Sequence, residues 1–245
     1  MNTPRCQGVR EGGADSPAPI PPEKTFPVLK MLAAAGIVGP VLFTVGFLAQ
    51  GVLRTDFRAG YNPMAQTISA LTAGPDGWVQ QMNFVVLGVL VIAFAVGLYQ
   101  GMQKTRASVL SPALLAWNGV ELVIAGLTPL RETATGRIIG DPLGVHGPNS
   151  TIFFGCIGIV LVVVAWQLAR DASWRNLAPY TLGSGIVLVV LLVLALVLVR
   201  GAQAPLHPWE GLIQRVTISV WLLCLVVLAR RLWRIARMGG GDAHA

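Results

Sequence analysis

The chain has 245 residues, 54% hydrophobic and 12% charged, with a formal net charge of +7. A soluble domain usually carries about a quarter charged residues, so these proportions exclude one soluble domain with tails and point to a polytopic membrane protein. The positive charge falls in short blocks between apolar segments, which argues for bilayer topology and against a nucleic-acid partner.

In chain order, residues 1–28 are expected to form a disordered cytoplasmic tail. Pro4, Pro17, Pro19, Pro21, Pro22 and Pro27 interrupt any helix there, and large apolar residues are few. The first apolar segment starts late and lacks a small-residue cleavage site, so it reads as an uncleaved span. Six windows reach the roughly 20 apolar residues a spanning helix needs. They are Leu29–Leu53, Val79–Tyr99, Ala107–Leu130, His146–Ala169, Pro179–Val199 and Gly211–Trp233. Backbone groups in lipid must be paired within the segment, which predicts an all-α bundle of six transmembrane helices over 29–233. Residues 234–245 form a basic, Gly-rich tail.

Linkers two and four carry Lys104, Arg106, Arg170 and Arg175, and Arg230, Arg231, Arg234 and Arg237 close the sixth span. The other linkers are poorer in cations and hold Asp56, Asp76, Glu132, Asp141 and Glu210. Lys and Arg mark the cytoplasmic side, so both termini are expected inside and linkers one, three and five outside. Arginine outnumbers lysine and Ala, Gly and Val abound, which suggests a bacterial chain and hence a plasma-membrane location. The three cysteines, Cys6, Cys156 and Cys224, show no metal-knuckle or CxxC spacing, so no disulfide, metal site or cofactor is expected.

Within the spans, IVLVVLLVLALVLV of span five has no side-chain polar atom and should face lipid. Gly36, Gly39, Gly46, Gly88, Gly97, Gly155 and Gly158 suit close helix approach, and Gly97 with Gly101 forms a weak GxxxG, a dimerisation signal or local packing. Gly39-Pro40 should break or bend span one.

Span three, LAWNGVELVIAGL, places a carboxylate in an apolar run. Ser111, Asn118, Glu121, Ala125 and Thr128 recur at helical spacing and form one polar stripe, expected to face other helices. Counted from Leu130, Glu121 lies about 14 Å below the outer end of its helix. An ionised acid at such depth is costly, so Glu121 is expected to be neutral or paired. Arg215, next to Gln214 in span six, is the basic residue placed to reach it; the alternative is that Arg215 snorkels outward. On the outer face, Asp141, His146, Asn149 and Ser150 of linker three join His207 and Glu210 of linker five and Ser69 of linker one. His with acids suits a metal, and Ser–His–Asp a hydrolase, but no HExxH, GxSxG or phosphate loop accompanies them.

Three stretches together resemble the bacterial membrane proteins grouped as domain of unknown function 998: AGIVGPVLFTVGFLAQG in span one, NPMAQTISALTAGPDGWVQ (62–80) and GLIQRVTISVW (211–221). The specific pieces are Gly36, Gly39 and Pro40; Ser69, Leu71, Gly74, Pro75, Gly77 and Trp78; and the GLxQR that opens span six. His146 is similar to the family histidine that opens span four. The resemblance implies a six-helix membrane fold and no established activity. MAQTISAL reads as a short surface helix followed by the turn AGPDGW.

These readings lead to a non-enzymatic membrane protein, a binding, transport-related or structural module for a lipid or small molecule. The alternatives are a hydrolase or transferase acting on lipid at the outer face, and a proton-coupled transporter using Glu121.

Overall fold

The computed structural model describes residues 25–57, 61–74, 76–105, 108–133, 137–199 and 204–238, the side chains of 25, 26 and 54–57 excepted. Most of the expected N-terminal tail, including Cys6, and the end of the C-terminal tail lie outside these residues.

Six helices are long and apolar enough to cross a membrane. They are α1 (Thr25–Phe57), α2 (Gly77–Gly101), α3 (Leu110–Leu127), α4 (His146–Leu168), α5 (Ala178–Leu198) and α6 (Glu210–Met238). The all-α bundle read from the sequence is the observed fold. Consecutive helices pack against one another, and α6 returns to α1, which closes the ring. Linkers one and three meet at one end, where the Leu130 amide donates to the Thr72 hydroxyl at 3.0 Å. Linkers two and four meet at the other, where the Gln103 amide donates to Asp171 at 2.8 Å and the Trp174 indole donates to the Gly101 carbonyl at 3.0 Å.

Glycine permits the close crossing of α2 and α3. A methyl group on Gly119 of α3 would lie 2.7 Å from the Gly88 carbonyl oxygen of α2, a contact no side chain tolerates without helix separation. Gly97 and Gly101 instead take Leu232 of α6 from within the same chain, so local packing accounts for that pair. Gly155, by contrast, has open space beside it. Helix α5 buries only Ala178, Thr181, Gly185 and Leu188, and its apolar run from Ile186 leaves Ile186, Val187, Val190, Val193, Leu194 and Val197 exposed.

Three details differ from the sequence reading. Helix α1 runs through Pro40 without the break that Gly39-Pro40 could have caused; the Thr44 hydroxyl donates to the Pro40 carbonyl at 2.8 Å. MAQTISAL yields only a 3₁₀ turn at Ile68–Thr72, because Asn62 caps a separate turn before it, its carbonyl taking the Ala65 and Gln66 amides. Linker three contains a two-stranded antiparallel hairpin, β1 (Arg131–Glu132) with β2 (Ile138–Ile139), in a segment too short to show strand periodicity.

Candidate ligand site

The polar stripe of α3 is buried at Ser111, Asn118, Glu121, Ala125 and Thr128. Ser111 is held by the Gln167 side-chain oxygen of α4, through both its amide and its hydroxyl. Asn118 Nδ2 donates to Glu121 Oε2 at 2.9 Å, and the Trp117 indole lies near the same carboxylate. From α4, Asn149 Nδ2 donates to the Glu121 carbonyl at 2.9 Å. Helix α3 ends at Leu127 rather than Leu130, so Glu121 lies about 9 Å below its end, shallower than the sequence count suggested.

The start of α4 supplies the second part. Asp141 accepts amide hydrogens from Leu143, Val145 and His146 at 3.0, 3.1 and 2.8 Å, and so fixes the first turn of the helix. Partial burial pushes the Asp141 carboxyl up, but these amides outweigh it and hold the group below the usual carboxylate range. The His146 ring is buried at 3% exposure, with Nδ1 at 2.7 Å from the Thr128 carbonyl oxygen. A carbonyl can only accept, so the neutral ring carries its proton on Nδ1 and leaves Nε2 as a lone-pair acceptor. A Ser–His–Asp relay is therefore not assembled: Asp141 binds backbone amides, not the imidazole.

The roof comes from linker one. Gln214 Oε1 accepts the Ile68 amide at 2.6 Å. Arg215 donates to the carbonyls of Pro63, Gln66 and Gly211 at 2.6, 2.8 and 2.9 Å and to the Tyr61 hydroxyl at 2.5 Å. The Glu121–Arg215 pair considered from the sequence is thus not formed. The folded linker offers Arg215 several oxygens above it, and the guanidinium turns outward to them rather than down to the acid. Gly211 has no room for a side chain, because a methyl there would strike the Gln66 and Pro63 carbonyls. Gly77 is similarly closed by the Thr72 carbonyl.

Beneath this roof is a chamber of about 30 Å³, whose lining includes Ser69, Glu121, His146, Asn149, Ser150 and Gln214. That volume holds about one water molecule or one small polar group. Phe43, Phe84 and Phe153 form apolar walls, with Phe153 edge-on to Trp221 at 5.4 Å. Ser69, His146, Ser150, Phe154 and Gln214 also line a larger groove of about 390 Å³. Its far wall is Leu191, Leu192, Ala195, Leu196 and Val199 at the end of α5.

Two fully buried atoms at this chamber, Glu121 Oε1 and His146 Nε2, have no hydrogen-bond partner among the described residues. Buried polar atoms are ordinarily paired, so two orphans on one small cavity call for a bound group. Nearby, Asn118 Oδ1 is also unpartnered.

Ser69, Gln214, Glu121, His146 and Ser150, drawn from different linkers and spans, therefore share one cavity. Asn118 stands behind it, and Glu210 lies on the rim of the groove. His207 faces Glu210 at 3.6 Å, both exposed. Among the described residues no three His, Cys, Asp or Glu side chains gather closely enough to hold a metal ion. The aromatic walls were not singled out from the sequence. Their signal is present in α4, where His146, Asn149, Ser150 and Phe153 fall at i, i+3, i+4 and i+7.

The family model described as Protein of unknown function (DUF998) matches residues 37–231, from α1 through most of α6. The chain belongs to this family. No curated protein and no solved structure matches it. In this DUF998 member, the stretches that carried the resemblance meet in space. GLxQR of α6 grips the backbone of 62–68, and the SxLxxGPxGW stretch supplies Ser69 and the closely packed Gly77.

Proposed function

We propose that this protein binds an amphiphile, a lipid or a small molecule with an apolar body, without turning it over chemically. One observation carries this reading: two residues with buried, unpartnered polar atoms line a chamber that shares five lining residues with an apolar-walled groove beside α5. A polar head fits the chamber and an apolar body fits the groove. Ligand sites are commonly of this kind, an apolar cleft with a few convergent polar groups.

The charge distribution supports an orientation with both termini in the cytoplasm, and on that reading the chamber belongs to the outer half of a bacterial plasma membrane. A single cysteine at Leu143, exposed in linker three, should then react with an impermeant maleimide in intact cells, and one at Arg234 should not. The reverse labelling pattern would overturn this topology.

The binding reading is tested by purifying the protein into lipid nanodiscs and recording native mass spectra. Wild type is expected to retain one amphiphile at sub-saturating lipid. Ala195→Phe, which fills the groove, is expected to lose it while melting normally. Equal retention by both proteins would refute the site.

A further inference from the structure

Resting on that binding reading, we infer that the bound head is an uncharged hydroxyl, as in a diacylglycerol or a long-chain alcohol, and not a phosphate or carboxylate. The inventory of the chamber decides this. With the buried ring uncharged, His146 Nε2 accepts a hydrogen bond, because the Thr128 carbonyl holds the ring proton on Nδ1. Glu121 Oε1 accepts if the acid is ionised and donates if the proton sits on that oxygen. An ionised acid buried in the bilayer is costly and Arg215 is bound elsewhere, so the acid carries its proton; a hydroxyl then satisfies both atoms, giving its hydrogen to Nε2 and taking the Glu121 proton on a lone pair. An ammonium head matches only the ionised acid.

An anionic head meets the wrong charges. Among the described residues no Lys or Arg lines the chamber or the groove. The nearby cation, Arg215, is already committed to three carbonyls and the Tyr61 hydroxyl. The acids at hand are Glu121 inside and Glu210 at the groove. Burying a phosphate there without a partner is strongly unfavourable. The Ser150 hydroxyl, and the Gln214 amide nitrogen left over once its oxygen holds Ile68, offer partners for a second head oxygen such as an ester carbonyl.

The test is a thermal-shift titration of the full chain in detergent with four probes of matched oleoyl chains: dioleoylglycerol, oleyl alcohol, dioleoyl phosphatidic acid and oleylamine. The two hydroxyl probes are expected to stabilise the protein saturably, and the other two to do so at least about tenfold more weakly. A preference for dioleoylglycerol over oleyl alcohol would assign a glycerolipid, and the reverse a simple alcohol. His146→Phe keeps the ring volume and removes the acceptor; it is expected to weaken the hydroxyl probes about fivefold or more. Should that variant fail to fold, Glu121→Gln, which keeps an oxygen for Asn118 and a donor toward the chamber, is expected to keep the preference for the hydroxyl probes, and loss of that preference would overturn the head assignment. Tighter binding of phosphatidic acid or oleylamine, abolished by Ala195→Phe, would overturn the head assignment and leave the site standing. Failure of all four probes to shift the melt, or indifference to Ala195→Phe, would overturn the site itself.

Discussion

His146 and Thr128 are joined across the α3–α4 connection by a 2.7 Å hydrogen bond from the imidazole Nδ1 to the backbone carbonyl. The bond ties the end of one spanning helix to the start of the next, and it turns Nε2 into the chamber's acceptor. Both consequences come from a main-chain partner, so the identity of the side chain at position 128 is secondary to where α3 stops.

Glu121 separates structure from recognition. Glu121→Gln retains an oxygen for Asn118 Nδ2 and should leave the melting temperature nearly unchanged. Glu121→Leu strands the Asn118 amide in a buried site and should cost about 1–3 kcal/mol. Parallel denaturation of the two variants checks this; equal losses would mean that the carboxylate is held by something other than Asn118.

Arg215 should matter most for linker one. Arg215→Ala removes four donated hydrogen bonds and leaves the carbonyls of Pro63 and Gln66 without them, with an expected loss of about 2–4 kcal/mol. Arg215→Lys should recover only part, since an ammonium lacks the planar fork. Limited proteolysis should report faster cleavage within 61–68 in both variants, and unchanged cleavage would contradict the clamp.

Asp141 carries a pH signature. Its folded-state carboxyl titrates below the ordinary value of 3.8, so it stabilises the fold at pH values above that figure. The contribution falls away as pH drops through the lower, folded value. Asp141→Ala should therefore melt a few degrees below wild type at neutral pH, and the two curves should converge only at pH below about 4. Convergence near neutrality would mean that another group is responsible.

Two glycines of the spanning helices should respond oppositely. Gly119→Ala places a methyl 2.7 Å from the Gly88 carbonyl oxygen and should cost about 1–3 kcal/mol by forcing α2 and α3 apart. Gly155→Ala meets open space and should be neutral or mildly stabilising, since alanine favours helix. Thermal melts of the pair decide it.

The spans were legible because a bilayer leaves little choice: a 20-residue apolar run must satisfy its backbone as a helix. The stripe on α3 was legible for a related reason, since helical spacing alone brings Ser111, Asn118, Glu121 and Thr128 to one side. The partner of Glu121 was not. Height within the span made Arg215 its natural neighbour, yet Arg215 is taken by Pro63, Gln66 and Tyr61, whose position depends on how linker one folds back. Periodicity says nothing about where an irregular segment lays its carbonyls. The same limit kept the outer-face residues and the intramembrane acid apart in the sequence reading. The early end of α3 and the start of α4 at His146 bring them to one chamber.

The roof over that chamber is gripped by its main chain. Arg215 takes the carbonyls of Pro63 and Gln66, Gln214 takes the Ile68 amide, and the Met64 carbonyl receives the Leu212 amide. Main-chain atoms are the same whatever residue bears them. Substitutions at Met64 or Ala65 should accumulate there at little cost, while the glycines that let α6 and α2 come against the linker stay confined to one residue type. A library randomised over 64–65 should yield mostly folded protein, and one randomised at Gly77 and Gly211 mostly glycine survivors.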